Sequence, residues 1–214
     1  MPSVSAPGRR YGGKTHEQRS SERRERLLDA GLELFGTRGY AHTTIEALCA
    51  AAGLNPRYFY EQFDTREELL GAVYDRHVQA VTRTVLQALE GAPLEPLERL
   101  QVGLRAFLDS VLADERGARI NYFEMVGVSH GLERKRRDVL RAYADMVAQQ
   151  ITEISRSTPV PVRDHRLAAV ALVGAGDGLI MHSLSSDRGA EREAIITTLV
   201  ELVDSVLRDD TRRR

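Results

Sequence analysis

The stretch LNPRYFYEQF, Leu54 to Phe63, decides how this chain is read. Tyr58, Phe59, Tyr60 and Phe63 crowd into it, although only 6% of the chain is aromatic and tryptophan is absent. Phe59 and Phe63 are four residues apart, the spacing of one helical face. Arg57, Tyr58 and Tyr60 fall between them and lie off that face. Asn55 is a helix-capping residue, and Pro56 suits a first helical position, where a missing N–H costs nothing. The stretch therefore predicts a short helix with an apolar back and an aromatic, arginine-bearing front.

Upstream, Leu27, Leu28, Gly31, Leu34 and Phe35 recur at helical spacing, and Gly36 and Gly39 close that first helix. Thr43 and Thr44 open a second helix, with Thr43 and Glu46 at capping-box spacing. Ile45, Leu48, Cys49 and Ala52 form its inner face, and Gly53 stops it. The second and third helices, about eight residues each, are joined by a tight Gly53-Leu54 turn. That is a helix-turn-helix plan, which sets its second helix in a DNA major groove. Thr65 and Glu68 form a further capping box at the head of a long helix, about 66–89. Further helices are expected at about 95–113, 115–127, 131–156, 163–185 and 189–208, broken at Gly117, Gly127 with Gly131, Pro159 with Pro161, and Gly189. No segment alternates as a strand does. The fold class is all-α, about nine helices: an N-terminal three-helix helix-turn-helix domain and a C-terminal helical bundle. Residues 1–18, rich in Pro, Gly, Ser and charge, read as a disordered basic arm. The helix-turn-helix domain is set at 19–66 and the second domain at 67–214.

Composition adds limits. The 214 residues carry a net charge of −1, yet Arg9 to Arg26 carries a net +4, a locally basic end that could meet phosphates. The single cysteine excludes an internal disulfide or a cysteine-based zinc site and fits a reducing cytoplasm. No apolar run near the ~18–20 residues of a membrane span is read, and no secretory signal. The six scattered histidines suggest no metal site, so neither metal nor cofactor is expected. Gly127-Val128-Ser129-His130-Gly131 matches the G-x-S-x-G of hydrolases. That motif requires a preceding strand, and helices precede it here, so no catalytic residue is expected.

Residues from Arg23 to about Val73 resemble the DNA-binding domain of the tetracycline-repressor (TetR) family of transcription regulators. The matching features run in order: Phe35 and Gly39, Tyr40, Thr43-Thr44, Leu48-Cys49, Ala52-Gly53, Tyr60 with Phe63, then Thr65, Arg66 and Leu69. Cys49 stands where the family usually has Ala, Arg66 where it has Lys, and Arg57 and Tyr58 where small residues are common. The candidate DNA-binding residues are thus Thr43, Thr44, Asn55, Pro56, Arg57, Tyr58, Tyr60 and Arg66. Arg57 can reach guanine O6 and N7, and Tyr58 a thymine methyl or a phosphate. The resemblance implies phosphate contacts for Tyr60, and Thr44 and Arg66 are placed for them too. Arg9 and Arg10 could reach a minor groove.

The resemblance further implies a cytoplasmic homodimer on a palindromic double-stranded DNA operator, released by a small-molecule inducer and without a membrane partner. The last two helices would pair with their copies. The dimer candidates are Leu167, Val170, Gly174, Gly178, Leu199, Leu202 and Val206. Pocket candidates are Tyr74, His77, Phe107, Tyr122, Phe123, Glu124 and Tyr143. Two rivals are a helix-turn-helix protein relieved by a protein partner and, remotely, a hydrolase.

Overall fold

The computed structural model describes residues 15–156, 165–185 and 192–212. Arg9 and Arg10 lie outside them. The described residues form helices α1 (His16–Arg38), α2 (Ile45–Ala52), α3 (Pro56–Tyr60), α4 (Arg66–Glu90), α5 (Pro96–Leu112), α6 (Glu115–Arg119), α7 (His130–Arg156), α8 (Arg166–Ser185) and α9 (Arg192–Arg212). A π-helical turn, Ile120–Glu124, continues α6. The all-α expectation holds among these residues, with no strand.

The local chemistry explains most boundaries, and some differ from the sequence reading. Helix α1 begins inside the expected arm, because Thr15 and Gln18 form a reciprocal capping box. Gly36 does not end α1. It is a buried helical residue where α6 crosses, and a Cβ there would lie 2.4 Å from that of Arg116. Gly39, at φ 88°, makes the turn instead. Thr44 rather than Thr43 caps α2, accepting the Ala47 N–H at 3.2 Å. Helix α3 spans only five residues because the chain turns at Glu61 and Gln62.

Leu27, Phe35, Leu48, Phe59, Phe63, Leu69 and Val73 build the core beneath α1–α3. Ile120, Met125 and Leu132 belong to that same core. Packing therefore runs unbroken across the position-66 boundary, joining the reading head to the bundle. Two further cores occupy the bundle, one around Leu108, Tyr122 and Ile180 and one around Leu100, Ile151 and Ala169. By length and composition α8 could cross a membrane, contrary to the sequence expectation. In the structure it packs between α7 and α9 and holds Asp177 in an ion pair with Arg136.

Ser129 of the G-x-S-x-G match accepts the Leu132 N–H at 3.2 Å and donates to Glu67. It caps the start of α7, and among the described residues no strand precedes it.

Candidate nucleic-acid interface and inner cavity

Helix α3 is seated by α1. Phe59 and Phe63 are fully buried, and their rings tilt together with centroids 6.0 Å apart. The Arg24 guanidinium lies 4.4 Å over Phe63 and donates to the Gln62 carbonyl, while Arg26 donates to the Gly53 carbonyl at 3.0 Å. Arg23 covers the half-buried Tyr58 ring at 4.6 Å. These arginines thus brace the helix-turn-helix from behind. Asn55 caps α3 by accepting the Tyr58 N–H at 3.3 Å, and Pro56 follows at its first position.

The exposed front of α2 and α3 carries Thr44, Asn55, Pro56, Arg57 and Tyr60. Tyr60 is 57% exposed. The Arg57 side chain is 84% exposed and pairs with Glu61 at 3.2 Å. Glu61 also approaches Arg23 at 3.7 Å, so one carboxylate restrains two cations beside the exposed front of α3.

Two of the candidate DNA contacts have partners within the protein. Thr43 is 1% exposed, and its hydroxyl donates to the Leu34 and Gly39 carbonyls. Burial of that hydroxyl removes it from any groove. Arg66 turns inward, donates to the Tyr40 and Thr43 carbonyls, and lies 4.8 Å over the Tyr40 ring. The cation is disfavoured by the α4 dipole, and two carbonyl oxygens offset this where a phosphate had been expected. Arg66→Met, which keeps the apolar stem, should destabilise the fold by about 1.5–3 kcal/mol per charged bond lost. Equilibrium denaturation checks this; an unchanged midpoint would place Arg66 back on the surface.

Below the head, the bundle encloses a cavity of about 170 Å³ lined by α4, α5, α7, α8, α9 and the π-helical turn. Along α4 its wall runs from Tyr74 to Leu89, about 22 Å at 1.5 Å per residue. Leu86 on α4 and Met146 on α7 line it and are also exposed, so its mouth opens between those helices. The middle is apolar: Val81, Val85, Leu104, Phe107, Leu108 and Ile180. The inner end holds Tyr74, Asn121, Tyr122, Tyr143 and the Arg136–Asp177 pair, 2.6 Å between charged atoms. Burial first, then nearby tyrosine and aspartate oxygens, pushes the Tyr74 and Tyr122 hydroxyls well above the ordinary phenol range. Both stay protonated donors.

Of the pocket candidates, Tyr74, Phe107, Tyr122 and Tyr143 line this cavity. His77, Phe123 and Glu124 do not. His77 is packed against Gly117, where an added Cβ would lie 2.4 Å from its Nδ1. Phe123 is 37% exposed. Glu124 faces the head: it accepts the Tyr40 N–H at 2.7 Å and pairs with Arg119 at 3.0 Å. The π turn explains the split, since its wider winding points Tyr122 inward and Glu124 toward the α1–α2 turn. Arg136, Asp177 and Asn121 were missed. Asp177 could have been found, as it is the only acidic residue in apolar α8.

On the outside of α8, Leu167 and Val170 are 83% and 53% exposed, and nothing lies within 4 Å of a Cβ built on Gly174 or Gly178. Leu202 of α9 is 39% exposed. Leu199 is instead buried in the protomer's own core and faces the cavity, so it leaves the dimer candidates. Val206 lies outside the residues whose side chains are described.

A braced helix-turn-helix carried on a helical bundle with an internal cavity defines a DNA-binding regulator. Residues 27–73 match the model of the bacterial regulatory proteins of the tetR family. Those residues are therefore similar to the DNA-binding domain of that family, and the chain as a whole is similar to transcription regulators. It is 27% identical over 196 residues to the HTH-type transcriptional activator FasR of Mycolicibacterium smegmatis, covering 92% of this chain and 86% of FasR. It is 29% identical to the transcriptional repressor DhaR of a Mycobacterium species, over 58% of this chain and 61% of DhaR. Two solved structures share the fold. A transcriptional regulator from Pseudomonas aeruginosa PAO1 has a TM-score of 0.76 at 20% identity, covering 95% of this chain and 97% of its own. The regulator FadR from Bacillus subtilis in complex with stearoyl-CoA has a TM-score of 0.68 at 18% identity, covering 84% and 96%.

Proposed function

We propose that the protein is a cytoplasmic, homodimeric repressor that occupies a palindromic operator and is released when an elongated, mostly apolar small molecule fills its cavity. One observation carries this reading. The π-helical turn supplies a cavity wall through Tyr122 and, two residues on, the Glu124 carboxylate that holds the Tyr40 amide of the reading head. A ligand that moves Tyr122 acts on the turn before α2, and differential binding to the two arrangements shifts DNA affinity. The stearoyl-CoA complex of a protein with this fold supports a long ligand. The cavity favours a small molecule over relief by a protein partner. Relatives carry both signs of regulation, FasR as activator and DhaR as repressor. Mapping the operator against its promoter distinguishes them, and an operator wholly upstream of the promoter would overturn repression.

Selection of DNA from a random pool should return an inverted repeat, because two copies reading half-sites impose their twofold symmetry. An asymmetric consensus would sink the dimer reading. Within it, Arg57→Ala should weaken binding by about 1–3 kcal/mol and relax preference at one position in each half-site. Tyr60→Phe should weaken binding on all sequences alike, because a phosphate contact carries no base information. Identical preference profiles for wild type and Arg57→Ala would remove Arg57 as a base reader.

A further inference from the structure

The inner end of the cavity is polar, and its polar groups are unequally engaged. Arg136 and Asp177 neutralise each other at 2.6 Å, each about one-fifth exposed. Tyr143 bonds Thr82 and packs edge-on against Phe107. Tyr74 and Tyr122 are 1% and 3% exposed and line the cavity, and no side-chain hydrogen bond acts on either phenol. Two phenol donors at the inner end of a cavity whose middle is apolar offer hydrogen bonds that the acceptor of a bound ligand can take up.

We propose that the ligand enters head first, seating a neutral oxygen acceptor (a ketone, ester, lactone or alcohol) on Tyr74 and Tyr122, with its apolar body running back along α4 to the mouth. This rests on the cavity being the sensory site and narrows its ligand class. A carboxylate head is disfavoured because the one cation at the inner end, Arg136, is already neutralised by Asp177, and an ion desolvated there would lack a counter-charge. An acyl-coenzyme A is disfavoured from the opposite side. Its phosphates must stay outside, so its terminal methyl would reach the inner end and leave both phenols unpaired. The cavity's remaining polar side chains beyond the inner end are Thr82, Arg99 and Gln150. Arg99 already donates to the Leu89 carbonyl at 2.8 Å, so it forms no polyphosphate cradle.

The test is calorimetric titration of the full-length protein with five probes of near-equal chain length: methyl tridecyl ketone, myristyl alcohol, myristate, tetradecane and myristoyl-coenzyme A. The ketone and alcohol should bind most tightly. Tyr122→Phe and Tyr74→Phe, which keep the ring and the packing, should each weaken the ketone roughly 3- to 10-fold and leave tetradecane unchanged. Tighter binding of myristate or myristoyl-coenzyme A overturns head-first insertion while sparing the sensory cavity. So does equal loss, or no loss, for ketone and tetradecane in the phenylalanine variants. Binding of none of the five overturns the sensory-cavity reading itself.

Discussion

Gly36→Ala should destabilise the protein by about 1–3 kcal/mol or more, reversing the sign that helix propensity alone dictates. Alanine in a helix interior is worth roughly 1 kcal/mol over glycine. A Cβ at position 36, however, would stand 2.4 Å from the Arg116 Cβ, 2.7 Å from its Cα and 2.9 Å from its carbonyl oxygen. Those are main-chain and first-carbon atoms, so no side-chain rotation relieves the overlap. Arg116 is held as well, donating to Asp114 at 2.9 Å and to Glu33 at 2.8 Å. Helices α1 and α6 must separate, an overpacking cost of typically 1–3 kcal/mol. Because α6 runs into the π turn, the same displacement should alter operator affinity. Denaturant unfolding gives the first readout, and a variant as stable as wild type would show that the helices do not cross this closely.

The second large effect concerns assembly. Val170→Asp should leave helicity unchanged, since that side chain is more than half exposed in the protomer, 53%. Its place beside Leu167, Gly174 and Gly178 puts a carboxylate in the apolar stripe that a second copy would cover. Light scattering should then report a monomer. Operator affinity should fall by at least ~100-fold, because two linked half-site contacts become independent ones and the advantage of effective concentration is lost. A Val170→Asp protein that remains dimeric would move the interface off this face of α8.

The helix-turn-helix was legible because its determinants are local. Asn55, Pro56, Gly53, Phe59 and Phe63 act on neighbours within a few residues, through capping, turn geometry and helical spacing. Reading failed where a residue's partner is distant in sequence. Arg66 matched a phosphate-binding position, yet its carbonyl partners at Tyr40 and Thr43 lie more than twenty residues back. Glu124 was placed in a pocket because it sits between aromatics. The π turn, which no spacing rule announces, sends it instead to the Tyr40 amide 84 residues away. Arg136 and Asp177, 41 residues apart, form their pair only because α7 packs on α8. Leu199 had the periodicity of an interface residue, and periodicity cannot tell which of two apolar faces a helix turns outward.

By itself, then, the sequence determined the all-helical class, the reading head with its exposed Arg57 and Tyr60, and the positions of most helix ends. Those depend on interactions within one or two turns of chain. Only the tertiary structure decided that the head and bundle share one core, that Thr43 and Arg66 bond main-chain carbonyls of the α1–α2 region, and that two phenols line the inner end of a cavity. Each of these arises where helices far apart in sequence are packed together, and desolvation there changes what a hydroxyl, a guanidinium or a carboxylate must find as a partner.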